Sequence, residues 1–263
     1  MFKREIKVNF KSFIIWLMVL ISIFLMAYLI YPSILESNNA SMIDEMLKMF
    51  PPEVLSAFNL DIASMDSAFG WLKTEGFVFV LLIIGCYAGI IGSNILLKEE
   101  NDKTIEYLNS LPITRKNIVI AKMFVGLIYV FLMVILLGIF NYIALLLSGE
   151  FNQIEFLLLS ITPIFSSVVI YFLCMFLSTF THKTKKMFGL TIGIVFISYF
   201  LQVFSTMSES AEFLKYASVF TLADIRNVIT DVSINPVMII ISIILSIILF
   251  LLTLKRYNKK ELV

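Results

Sequence analysis

The chain reads as an all-α polytopic membrane protein with six transmembrane helices, on three observations. It is 263 residues long, 60% hydrophobic and rich in Phe, with a mean hydropathy of +0.96, which is too apolar for a soluble domain. Six apolar runs approach or exceed the ~20 residues a bilayer requires. Of the 20 Lys and Arg, 16 fall in the N-terminal arm, the second and fourth connections and the C-terminal tail, which places both termini in the cytoplasm.

Residues 1–12 place Phe2, Ile6 and Phe10 at helical spacing among Lys3, Arg4, Lys7 and Lys11, predicting an amphipathic helix at the cytoplasmic interface. The first span, about 13–31, is too long for a signal-peptide core and no small-residue cleavage site follows it. Residues 32–74 form an acidic extracellular loop, in which Ser41 caps a short helix ended by Pro51 and Pro52, and Phe58, Leu60 and Ile62 rest on the membrane surface. The second span, about 75–97, carries Gly85, Gly89 and Gly92 on one face, a pattern that lets another helix approach closely, and Asn94 near its inner end.

The third span, about 118–147, is long enough to project into the cytoplasm, and its Asn141 is a candidate interhelical contact. A fourth span at about 155–180, a basic turn from His182 to Lys186 and a fifth span at about 187–206 follow. In the fifth span Phe196, Phe200 and Phe204 make a stripe at i, i+4 and i+8, which reads either as the wall of a cavity for an amphipathic cargo or as packing. A second extracellular loop, 207–235, contains an interfacial helix around Phe213 to Ile225, and Pro236 opens the sixth span at about 236–254.

Between the second and third spans lies a polar segment, 98–117. Asp102 is placed to N-cap a short helix from Lys103 with Ile105, Leu108 and Leu111 on one side; Pro112 stops it and Thr114 caps the next helix. Glu100, Thr104, Glu106, Leu108, Ser110, Pro112, Ile113, Thr114 and Arg115 together resemble the T-x-E-x-L-x-S-x-P-[IV]-[ST]-R pattern, preceded by a Glu and a Gly, of the ABC-2 type transporter permeases. Lys103 stands where that family commonly has Gly, so a different turn is expected before Thr104.

The resemblance implies a single six-span permease domain over 1–263 whose segment 98–117 is a coupling helix seated in a separate ATPase. Glu106 and Arg115 would anchor that seat and Leu108 and Leu111 fill its groove. It further implies two copies of the ATPase, a dimer with itself or a related permease chain, and a route walled by the second and fifth spans. ATP and Mg would be bound by the partner, for this chain has no phosphate-binding loop.

Other classes fit poorly. One His, two Cys placed inside predicted spans and span interiors almost free of ionisable residues leave no constellation for a metal centre, a membrane protease or a proton relay. His182 reads as a solvated surface residue. No catalytic residue, metal site or cofactor is expected in this chain, and a net charge of +1 gives no reason to expect a nucleic-acid partner. The cargo is open, with peptides, antimicrobials and lipid-like molecules as the classes the family suggests. A non-transporting membrane scaffold, immunity or regulatory protein has the same composition and stays as the alternative.

Overall fold

The computed structural model describes residues 2–34, 49–51, 67–105, 113–207 and 209–260. Six helices there are long and apolar enough to cross a membrane, and no strand occurs among the described residues. They are α1 (Phe2–Ile34), α2 (Ala68–Asn101), α3 (Arg115–Ser148), α4 (Gln153–Ser178), α5 (Thr184–Met207) and α6 (Pro236–Tyr257). The expected short helix after Ser41, its stop at Pro52 and the surface segment at Phe58, Leu60 and Ile62 lie outside the described residues.

Local chemistry sets the helix starts. The side chains of Ser67, Thr114, Asn152 and Asn235 each accept a bond from a backbone N–H in the first turn, opening α2, α3, α4 and α6. Pro236 occupies the first turn of α6, where its missing N–H leaves no donor unpaired. Gly149, with φ 144, ends α3 in a conformation other residues avoid.

Four expectations change. The 1–12 segment and the first span are one unbroken helix, and its buried face carries Glu5, Phe13, Leu17, Leu20 and Phe24, leaving Phe2 and Phe10 exposed. The second span begins earlier than position 75, with one turn widened to π geometry over Leu72–Gly76. The fourth is two rods, Gln153–Ile161 and Pro163–Ser178, because Pro163 has no N–H for the Leu159 carbonyl and its ring crowds that position. The interfacial helix expected around Phe213 to Ile225 is instead two 3₁₀ segments, Glu209–Tyr216 and Val219–Ala223.

The second of those segments enters the bundle. Ser218 Oγ donates to the Ser198 carbonyl at 2.6 Å, Ser198 Oγ accepts from the Val219 N–H at 2.7 Å, and Phe220 is buried against α2 and α4. Gly85 is what admits it, since a Cβ there would lie 3.2 Å from the Phe220 ring.

α2 is the most buried of the six and packs on α3, α4 and α5, while α1 lies on α3 and α6 on α4. The Gly stripe explains the closeness of α2 to its neighbours. A Cβ on Gly89 would sit 2.5 Å from Thr191 Cγ2 and 3.1 Å from Cys174 Sγ, and one on Gly92 would sit 2.3 Å from the Tyr171 carbonyl oxygen. Asn141 makes the expected interhelical contact, accepting from Tyr28 Oη at 3.2 Å and so joining α1 to α3. At the end of the bundle away from the chain termini, Lys73 pairs with Glu155 at 2.9 Å and lies over the Phe69 ring, tying the start of α2 to the start of α4.

Candidate functional site

The other end of the bundle, here the basic end, holds both described chain ends and the bases of α2 and α3. α2 runs on to Asn101, four residues past the predicted boundary at 97, so the polar segment begins on a rigid helix. Its helix ends in a Schellman turn: Thr104 N–H donates to the Glu99 carbonyl at 2.8 Å and Lys103 N–H to that of Glu100 at 3.3 Å. Asp102 is therefore the C-cap of α2 and not the N-cap of a helix starting at Lys103.

Lys103 has φ 55, the left-handed geometry a glycine takes without penalty. The turn is thus one that a Gly at this position would also make, and Lys103 does not force a different one. Lys103→Gly is expected to raise thermal stability in detergent by about 0.5–1 kcal/mol, and Lys103→Val to lower it, because only the former relieves the Cβ crowding at positive φ.

Helical backbone resumes at Ile105, which is buried; Glu106, Leu108, Ser110, Leu111 and Pro112 lie outside the described residues. Beyond them Ile113 and Thr114 are exposed, and Thr114 Oγ1 accepts from the Asn117 N–H at 3.3 Å as the cap the sequence predicts.

Two adjacent carboxylates at the foot of α2 organise this end. Successive helical residues point about 100° apart, so Glu99 and Glu100 address different neighbours. Glu99 takes the ammonium of Lys122, two turns into α3, with both oxygens at 2.6 and 2.7 Å; the same Nζ donates to the Ile95 carbonyl, and Glu5 of α1 stands 3.7 Å away. Lys122 is fully buried and its three donors are accounted for by those bonds. Glu100 takes Lys260, beyond α6, at 2.7 Å, and His182 of the α4–α5 connection through Nδ1.

This arrangement does one mechanical thing. The Glu99–Lys122 pair bolts the foot of α2 to the first turns of α3, on either side of the polar segment. Glu5 extends the tie to α1, and Glu100 extends it to the sixth helix and the α4–α5 connection. Asn101 Oδ1 also accepts from Thr184 Oγ1 at 3.1 Å, which pins the start of α5 to the same foot.

The sequence-predicted residues therefore separate. Glu100 is buried and paired within the chain, and Arg115, half-buried, donates to the backbone carbonyls of Lys260 and Asn258. Thr104 and Ile113 face outward beside the 106–112 segment. Gly85, Gly89 and Gly92 are covered by α4, α5 and Phe220 of this same chain, and Asn94 is half-buried. Phe196, Phe200 and Phe204 stand 42–50% exposed on the outer face of α5, the last two with stacked rings. His182 is half-exposed but engaged with Glu100, a role its reading as a solvated residue missed.

Sequence reasoning also missed Glu5, Glu99 and Lys122 as one buried cluster. A signal was there: Lys122 shares the apolar face of Ile118, Val119, Met123 and Val125, and Glu5 lies eight residues before Phe13 on the buried face of α1. A charge repeating on an apolar face announces a buried partner.

No curated protein and no solved structure matches this chain. The family model of the ABC-2 family transporter proteins matches residues 1–262, nearly the whole chain and not the polar segment alone. That span takes in all six long helices, their clamped basic end and the turn at Lys103. The chain belongs to the ABC-2 family transporter proteins, as a membrane permease subunit without a catalytic domain of its own.

Proposed function

We propose that this permease is the transmembrane subunit of an ATP-driven exporter, driven by two copies of a separate ATPase and paired with itself or a related permease chain. The observation that carries the proposal is the Glu99–Lys122 pair, which joins α2 to α3 where the chain leaves the one for the polar segment and enters the other. A push delivered to the foot of either helix is therefore shared by both.

The basic end faces the cytoplasm with both termini, in keeping with the Lys and Arg distribution. ATP and Mg belong to the partner, and this chain needs no cofactor. Closure of the ATPase pair shifts the bundle between inward-open and outward-open states, to the extent that the ATPase seats differently on the two. Glu106, Leu108 and Leu111 make that seat, with Thr104, Pro112, Ile113 and Thr114 shaping its edges. Arg115 and Glu100 support it from behind through their contacts within the chain.

The exposed Phe stripe of α5 is the face open to a second permease and to an apolar or amphipathic cargo of the peptide, antimicrobial or lipid-like class. The Gly stripe of α2, filled from within the protomer, serves packing. Glu106→Arg is expected to leave the permease inserted while ATP hydrolysis by the co-purified ATPase no longer drives export. Export at the wild-type level with normal ATPase co-purification would refute the coupling role of Glu106, and a wild-type chain that recruits no ATPase and supports no export would favour a scaffold or immunity protein.

A further inference from the structure

α6 is the least buried of the six long helices; only Ser242, Ser246, Thr253 and Tyr257 along it are buried. The short segment after it is held far more tightly than the helix itself. Lys260 Nζ donates to Glu100 Oε1 at 2.7 Å, to the Thr181 carbonyl at 2.8 Å and to that of Ser178 at 3.5 Å, and its side chain is 5% exposed. From the other side Arg115 donates through Nη1 to the Lys260 carbonyl at 3.0 Å and the Asn258 carbonyl at 3.4 Å. Arg256, one turn earlier, covers the Phe180 ring at 4.9 Å.

Glu100 lies near the start of the coupling segment, 98–117, and Arg115 near its end. Both therefore hand the position of that segment to residues 258–260, and Lys260 hands it on to the α4–α5 connection through Thr181 and, by the shared carboxylate, His182. An apolar pair would keep these elements together with equal or greater stability, because desolvating two charges offsets much of their attraction. What the charged tie adds is direction: one ammonium is held at once by a carboxylate and two backbone carbonyls.

We infer that residues 258–260 are a positioning element of the coupling site and that Lys260 is its positioning residue, carrying displacement of the coupling segment to α6 and to the α4–α5 connection. This rests on the proposed function. Glu99 with Lys122 then serves α1, α2 and α3, and Glu100 with Lys260 serves the other half of the bundle.

The test has two arms. In the permease alone, purified in detergent, thermal unfolding of Glu100→Gln, Lys260→Met and the double variant reads the pair. The expected result is that the double variant loses less than the two singles together, and strict additivity would overturn the pair.

In the complex with its ATPase, in a background lacking Cys86 and Cys174, spin labels at the exposed far-end residues Leu147 and Tyr216 report the ATP-dependent change in their separation. Lys260→Met is expected to keep ATPase co-purification and hydrolysis at wild-type levels and to lose the distance change, and Lys260→Arg to keep it. A distance change intact in Lys260→Met would overturn the inference while leaving the proposed function standing. A wild-type permease that recruits no ATPase would overturn the proposed function and this inference with it. If Lys260→Met does not fold, Lys260→Gln, which removes the charge and keeps a polar end, takes its place with the same outcomes.

Discussion

Lys122→Met is expected to destabilise the permease by about 3–5 kcal/mol, the cost of leaving a buried charge without its partner. Methionine matches the length of the lysine stem but leaves Glu99 facing Glu5 across a dry pocket, with the Ile95 carbonyl losing a donor. The result would read as a lower thermal midpoint in detergent and poor recovery from the membrane. Adding Glu99→Gln should restore about half of the loss, because a neutral amide can be buried at the price of a hydrogen bond and not of a charge. A Lys122→Met variant as stable as wild type would mean that water reaches this cluster, and the clamp at the base of the coupling segment would fail with it. The same variant with Glu5→Gln should gain less, since Glu5 stands farther from the ammonium than Glu99 does.

Alanine substitution along the glycines should separate two faces of the bundle sharply. Gly92→Ala puts a methyl group 2.3 Å from the Tyr171 backbone oxygen, so α4 must move as a rod, and the expected cost is about 3 kcal/mol, the upper part of the range for overpacking. Gly89→Ala meets the side chains of Thr191, Cys174 and Ile170, which can adjust, and should cost about 1–2 kcal/mol. On α5, Gly189 and Gly193 have nothing within 4 Å of an added Cβ, so Gly193→Ala should be neutral or stabilising by up to about 1 kcal/mol through helix propensity. Thermal unfolding of the three purified variants gives the order directly. A Gly92→Ala variant that unfolds where Gly193→Ala does would show that α2 and α4 are not in backbone contact.

These two sets of variants also probe different consequences of one fact, that α2 is the hub. Its lower half meets charge and its middle meets close-packed backbone, and α3, α4 and α5 all pack on it. The exposed Phe196, Phe200 and Phe204 on α5 lie one layer out from that hub, on the outer face of the bundle.

Much of this was legible before any coordinates. The six spans follow from run length and hydropathy, which depend only on consecutive residues. Thr114 as a cap, Pro236 at a helix start and Asn141 as an interhelical contact follow from single side chains acting on neighbours or from one polar group in an apolar stretch. Pro163 was visible too, and a continuous fourth span was expected across it all the same; the missing N–H prevailed over the run of apolar residues. The family pattern from Glu100 to Arg115 was readable as residues, yet half of it, Glu106 to Pro112, lies outside the described residues, so its seat rests on the flanks.

By itself the sequence determined the class of solvent, the six candidate spans and the cap at Thr114, because each is a sum or a short-range bond along the chain. The tertiary structure alone decided which charge meets which: that Lys122 is claimed by Glu99, that Glu100 is shared by Lys260 and His182, and that the α2 glycines are filled from within. Those outcomes depend on the rotation of each helix about its axis and on its height against its neighbours. A shift of one residue turns a side chain by about 100°, and hydropathy, which counts residues without facing them, cannot register it.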